Sequence, residues 1–476
     1  MTGRRPMDGY GEFDALGLAE LVRSGRASPG ELLDDAIAAV AARNPSLNAV
    51  VTEMYDEARA EIAAGLPAGP FTGVPFLLKD LRAAYAGVPT TSGSHYWADN
   101  VPQADSETVR RFRRAGFVIF GKTNTPEFGC CPSTEGALFG ATQNPWRAGF
   151  SAGGSSGGSG AAVVSGMVPA AHGSDGGGSL RIPASCCGAF SLKPTRGRVP
   201  AGPTYGEAWN GLSTEGVITR TVRDSAAVLD AISGPAPGDP YWAPPPTRPY
   251  THEVATPPGR LRVAVQREAL NGAAVHADCT AAVDRAASAL ADLGHDVVDA
   301  VPSYDVAGMG DAFTLLIAAN VQAGLDRYGD ETGRSPGRGD LEHVVGVLRN
   351  IGTDRSAADL VRATWAMHGV GRQVAPFFES HDVLLSPVVA TPPPPLGVLD
   401  PTTEDLNGYL TAVFNFIPFT SLANMAGVPA MSVPWDRNAD DLPVGIHFTA
   451  GYGREDVLFR LAGQLEREHP WPLRSP

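Results

Sequence analysis

Cysteine is scarce, with five residues in 476, and basic charge is in deficit, with 37 Lys and Arg against 51 Asp and Glu. Cys130–Cys131 and Cys186–Cys187 are adjacent pairs and Cys279 stands alone, so no C-x-x-C spacing exists for zinc or dithiol chemistry. These thiols read as small, reduced packing residues; no metal and no cofactor is expected from them. A net charge of −14 repels phosphate backbones and anionic lipid, which argues against nucleic acid and membrane surfaces as partners. No apolar run of about 18 residues is present, and MTGRRPMDGYGEFD has no apolar stretch after its arginines. A cytoplasmic location is the expectation.

Hydrophobic residues at 43% and charged residues at 18% can supply a large core, and the length admits either two domains or one large α/β domain. Ser28-Pro29-Gly30-Glu31 opens a helix as a capping box, and the helix is expected to stop near Asn44-Pro45 before a short strand at 48–51. The run Gly73 to Leu78 reads as a buried strand that ends abruptly at Lys79-Asp80, and residues 116–122 as a second strand behind a basic helix at 107–115. Segments 260–266, 277–293 and 295–301 alternate strand, helix and strand, the pattern of a βαβ unit. Residues 303–378 read as mainly helical, followed by a strand at 383–385, while Pro and Gly cluster at 234–258 and 391–401.

Lys79, Ser155 and Ser179 each interrupt or end an apolar or glycine-rich run. Ser155 lies in Gly153-Gly154-Ser155-Ser156-Gly157-Gly158-Ser159 and Ser179 in Asp175-Gly176-Gly177-Gly178-Ser179-Leu180-Arg181. A strand-end lysine is ordinarily a solvated charge, and a Gly-Ser stretch is ordinarily a loop; their joint order and spacing is what carries information. A serine needs a base to accept its proton, an amphoteric serine can relay that proton, and a lysine can receive it only as free amine. Burial in an apolar strand is one way to make it so. The glycines before Ser179 let the backbone N–H groups of Gly176, Gly177, Gly178 and Ser179 turn toward one point, as an oxyanion hole requires.

The stretch GGSSGGSGAAVVSGMVPAAHGSDGGGSLRIPASCCGAFSLKPTRGRV at 153–199 resembles the amidase signature family, supported by GVPFLLKD at 73–80, GKTNTPEFG at 121–129, ATQNPW at 141–146, NMAGVPAMSVP and DLPVGIHF. The resemblance implies an α/β fold with one large mixed sheet wrapped by helices. It also implies a single domain over 1–476: N-terminal helices at 10–64, a core at about 65–235 and 380–476, and a variable substrate-side region at about 303–401. Ser179 would be the nucleophile, Ser155 the bridging serine on a cis peptide and Lys79 the general base. Asp175 and Arg181 would orient the loop, although a surface pair is open for the arginine. Position 176 departs from the family's Thr, Ile or Ala, so Gly176 is expected to loosen the loop or widen the pocket.

The implied substrate is a small-molecule amide or carbamate, as in nylon-oligomer hydrolases, aryl acylamidases and urethanases. Glu127, Phe128, Gly129, Cys130 and the segment 313–319 are candidate substrate contacts, with ordinary core as the alternative; a homodimer is left open. Three other readings compete. Gly154-Ser155-Ser156-Gly157-Gly158 matches G-x-S-x-G, which would make Ser156 an elbow nucleophile with Asp382 and His447, but no strand leads into it. A glutamine-hydrolysing amidotransferase subunit commonly has Gln where this chain has Ile182. A non-catalytic scaffold would have no need of all three triad positions.

Overall fold

In the computed structural model, which describes residues 9–475, the capping box forms as expected: Ser28 Oγ accepts from Glu31 N–H, and Glu31 accepts from Ser28 N–H at 2.8 Å. The helix runs over Pro29–Leu47, through Pro45 rather than stopping before it. Asn44 makes this possible. Its carbonyl accepts from Asn48 N–H at 2.8 Å, closing the last turn, and its side chain accepts from Ala49 and Val50 N–H at 2.8 Å each.

The strands are β1 (Val50–Glu53), β2 (Pro75–Lys79), β3 (Val118–Thr123), β4 (Ala170–Asp175), β5 (Phe190–Lys193), β6 (Thr214–Thr219), β7 (Arg262–Val265), β8 (Asp296–Asp299), β9 (Val383–Pro387), β10 (Ala430–Arg437) and β11 (Pro443–Ala450). They form one 11-stranded mixed sheet in the order β1-β3-β2-β4-β6-β5-β10-β11-β9-β7-β8, surrounded by helices. β2 is parallel to β3 and β4, and β7 is parallel to β8 and β9; the remaining pairs are antiparallel. The βαβ unit is β7, the helix Ala277–Asp292 and β8. Because β2 and β4 run the same way, Lys79 and Asp175 finish at the same edge, where the antiparallel β6 begins with Thr214 and Glu215. Side chains from three neighbouring strands therefore converge outside one end of the sheet.

The helix Val306–Thr332 is long and apolar enough to cross a membrane by length and composition alone, with a mean hydropathy of 1.2 over its most apolar window. Here it packs against the helices His343–Thr353 and Ala357–Val374.

Glycine density near 153–160 is a matter of close approach. A Cβ on Gly154 would lie 2.7 Å from the Ser133 backbone, and one on Gly158, in the helix Gly157–Val164, would lie 2.5 Å from Asn124 N and 2.6 Å from Ala49 O. Gly158→Ala should therefore destabilise by about 2 kcal/mol or more, since rigid backbone must move. Gly310, inside Val306–Thr332, has nothing within 4 Å of its would-be Cβ. Gly310→Ala should gain about 0.5–1 kcal/mol from helix propensity. Urea denaturation of the two variants checks the contrast; equal effects would contradict it.

Candidate active site

Every residue of β2 is buried, and Lys79, at its end, has a fully buried side chain. Its Nζ donates to Ser155 Oγ at 2.6 Å and to Ser174 Oγ at 3.2 Å. The Gly154–Ser155 peptide is cis. Burial pushes the Lys79 amine down to about 7, against the pull of the Glu215 and Asp175 carboxylates. That fall corresponds to roughly 5 kcal/mol in favour of free amine.

Ser174 and His172 lie on the same face of β4, two residues apart. His172 Nδ1 accepts from Lys79 N–H at 3.2 Å, so a neutral His172 carries its proton on Nε2, which faces Glu215 Oε2 at 2.8 Å. Glu215 in turn accepts from Arg82 Nε at 3.0 Å. Although burial raises the Glu215 carboxyl, hydrogen bonding from His172 and the Arg82 charge outweigh it and bring it to about 2. None of Ser174, His172, Glu215 or Arg82 stood out in the sequence. The chain has three lysines, Lys79, Lys122 and Lys193, and all three are buried.

The loop that carries Ser179 is folded around a buried carboxylate. Asp175 Oδ1 accepts from Gly178 N–H at 2.8 Å and Arg181 Nη2 at 2.9 Å; Oδ2 accepts from Leu180 N–H at 3.1 Å and Arg181 Nε at 2.9 Å. Burial raises the Asp175 carboxyl, but the Arg181 guanidinium dominates and holds it far below the usual carboxylate range. Arg181 is no surface partner: it is 0% exposed, opens the helix Arg181–Cys187, and also donates to Thr420 O at 2.8 Å and Asn424 Oδ1 at 2.7 Å. Of the four N–H groups nominated for an oxyanion hole, Gly178 is committed to Asp175. Among the described residues, Gly176, Gly177 and Ser179 N–H find no acceptor. Ser179 is half-buried, and no hydrogen bond joins its hydroxyl to Ser155.

Ser155, Ser174, Gly176 and Ser179 open on one cavity of about 660 Å³. Phe128 and Gly129 line it, but Glu127 and Cys130 do not. Glu127 instead accepts from Ser94 Oγ at 2.5 Å and Glu342 N–H at 2.8 Å, and burial pushes its carboxyl up to about 8. On the helical side the lining comes from Asn320, Val321 and Arg327, just beyond the 313–319 segment. The room expected beside Gly176 is taken by Trp209.

Ser156, Asp382 and His447 are not brought together. Ser156 donates to Ser174 O at 3.3 Å, Asp382 pairs with Arg262 at 2.9 Å, and His447 Nε2 faces Arg181 Nη1 at 3.0 Å. Burial first, and then the Arg181 charge, hold His447 well below its usual value, so it is neutral. The five cysteines are free thiols, and among the described residues no group of three His, Cys, Asp or Glu could hold a metal.

Asp175→Asn removes the counter-charge of a guanidinium that has no water to turn to. It should cost about 3–5 kcal/mol in urea denaturation and abolish turnover. A variant as stable and active as the wild type would mean the pair does not organise the loop.

A profile of the amidase family matches residues 31–459. The 6-aminohexanoate-cyclic-dimer hydrolase of Pseudomonas sp. (strain NK87) is 41% identical, over 97% of this chain and 96% of the relative. A solved structure of a 6-aminohexanoate cyclic dimer hydrolase superposes with a TM-score of 0.90 at 39% identity, covering 98% of each chain. A bacterial aryl acylamidase structure gives 0.87 at 30%, covering 96% of each. The chain thus belongs to the amidase signature family and is a hydrolase of carbon–nitrogen bonds.

Proposed function

We propose that the protein hydrolyses hydrophobic amides through an acyl-enzyme, with Ser179 as nucleophile, Ser155 as proton relay and Lys79 as general base. The observation that carries this reading is the 2.6 Å contact between Ser155 Oγ and a fully buried amine brought to about 7, opening on the cavity that Ser179 lines. Ser179 Oγ attacks the carbonyl carbon as its proton passes to Ser155 and that of Ser155 to Lys79 Nζ. The carbonyl oxygen becomes an oxyanion, held by the N–H groups of Gly176, Gly177 and Ser179 that have no other acceptor. On collapse, Lys79 returns the proton through Ser155 to the departing nitrogen, and water, activated by the same relay, then cleaves the acyl ester of Ser179.

The lining supports this substrate class. Leu81, Trp97, Phe128, Trp209 and Val321 present carbon surface to the cavity, and its two basic residues, Arg82 and Arg327, are engaged by Glu215 and the Tyr205 hydroxyl. A compact amide with hydrocarbon on both sides of the scissile bond, of the kind named for the cyclic-dimer hydrolases, suits such walls.

Ser179→Ala should abolish hydrolysis of a hydrophobic anilide while a serine-directed phosphonate labels Ser179 in the wild type; an adduct on Ser156 would sink the assignment. Lys79→Met should cut kcat/KM for an amide by about 10²–10⁴-fold and for an activated ester of the same acyl group much less, because only the amine must be protonated to leave. The base must be unprotonated, so wild-type kcat/KM should fall as pH drops through about 7. That limb should vanish in Lys79→Met; equal losses on both substrates with the limb unmoved would make Lys79 structural.

A further inference from the structure

Gly176 has a φ outside the left-handed region, so its own backbone would accept a side chain; what stands in the way is Trp209. A Cβ at Gly176 would lie 2.8 Å from both Cε3 and Cζ3 of the indole, with the next neighbour, Ser213 Cβ, at an ordinary 3.5 Å. The adjacent Gly177 is faced in the same way by the Phe313 ring, 2.7 Å from its would-be Cβ. Two aromatic rings from distant segments thus lie directly on the loop that carries the free N–H groups.

Trp209 is also held in an unusual conformation. It and Asn210 are both left-handed, with φ 49° and 53°, in a turn closed by the Ala208–Ser213 bridge. Asn210 Oδ1 accepts from Asn320 Nδ2 at 2.7 Å, tying the turn to the helix Val306–Thr332. Consecutive left-handed non-glycine residues are costly and persist where surroundings enforce them. Trp209 is nevertheless only half-buried, and it lines the same cavity as Gly176, Ser155 and Ser179.

We propose that the Trp209 indole, seated on Gly176, is the wall against which the acyl portion of the substrate packs, and that it selects acyl groups made of a hydrocarbon chain or ring. A carbonyl held by the loop N–H groups places its acyl carbons beside the loop, and the surface they meet there is the indole. The inference rests on Ser179 being the nucleophile.

The test compares kcat/KM for the p-nitroanilides of hexanoate and acetate, which share a leaving group and differ only in acyl length. The wild type should favour hexanoyl, and Trp209→Ala should lower the hexanoyl-to-acetyl ratio by about tenfold, with Trp209→Leu, the control for folding, intermediate. Gly176→Ala should displace the indole and lower the same ratio by about tenfold, and adding Trp209→Ala should lower it little further, since both changes remove one wall. An unchanged ratio in both Trp209 variants, with a phosphonate still labelling Ser179, would overturn the proposal and leave the indole as loop packing. Phosphonate labelling of another residue in the wild type would instead overturn the nucleophile assignment, and the wall with it.

Discussion

An ammonium group taken out of water without a sufficient counter-charge gives up its proton. Lys79 is placed where that trade is forced: at the end of a fully buried strand, with hydroxyls of Ser155 and Ser174 as its hydrogen-bond partners and, among the described residues, no carboxylate in direct contact. Glu215 and Asp175 pull its proton affinity upward from farther off, yet each is already engaged by an arginine. Desolvation therefore wins, which is what the proposed role of Lys79 as base requires. His172 and His447, the two buried histidines nearest this machinery, are fixed by hydrogen bonds to backbone, carboxylate and guanidinium instead.

The rest of the site hangs on one short stretch of chain. Residues 172–181 supply His172 under the Lys79 backbone, Ser174 on its amine, Asp175 as anchor, the glycine loop, Ser179 and then Arg181, which returns to Asp175. Such density requires small residues. Gly173 has no room for a Cβ, which would meet Leu180 Cδ2 at 2.7 Å and Ser156 Oγ at 2.9 Å. The Asp175–Arg181 pair thus couples the position of Ser179 to the core, since Arg181 also reaches Thr420 and Asn424 before β10.

Much of the frame was legible because local chemistry and tertiary structure agree. The capping box at Ser28, the apolar run ending at Lys79 and the βαβ unit of β7 and β8 follow the usual periodicities. β4 was not legible: Ala-Ala-His-Gly-Ser-Asp has neither alternation nor β-branched residues, and it is a strand because β2 and β6 flank it. Pro45 misled because the signal that rescues its helix end is the Asn44 side chain, visible only in three dimensions. Lys79, Ser155 and Ser179 could be named from spacing, whereas Trp209 and Arg82, both left-handed in irregular segments, reach the cavity by tertiary placement that no periodicity records.

The most direct test is titration of Lys79 itself. With three lysines in the chain, protein carrying ¹³C-labelled lysine side chains should give three ε-carbon NMR signals, and the one missing in Lys79→Met identifies Lys79. Followed against pH in the free enzyme, that signal should titrate at about 7. A midpoint near the ordinary amine value of about 10.4 would mean that Lys79 is charged at neutral pH and cannot be the base.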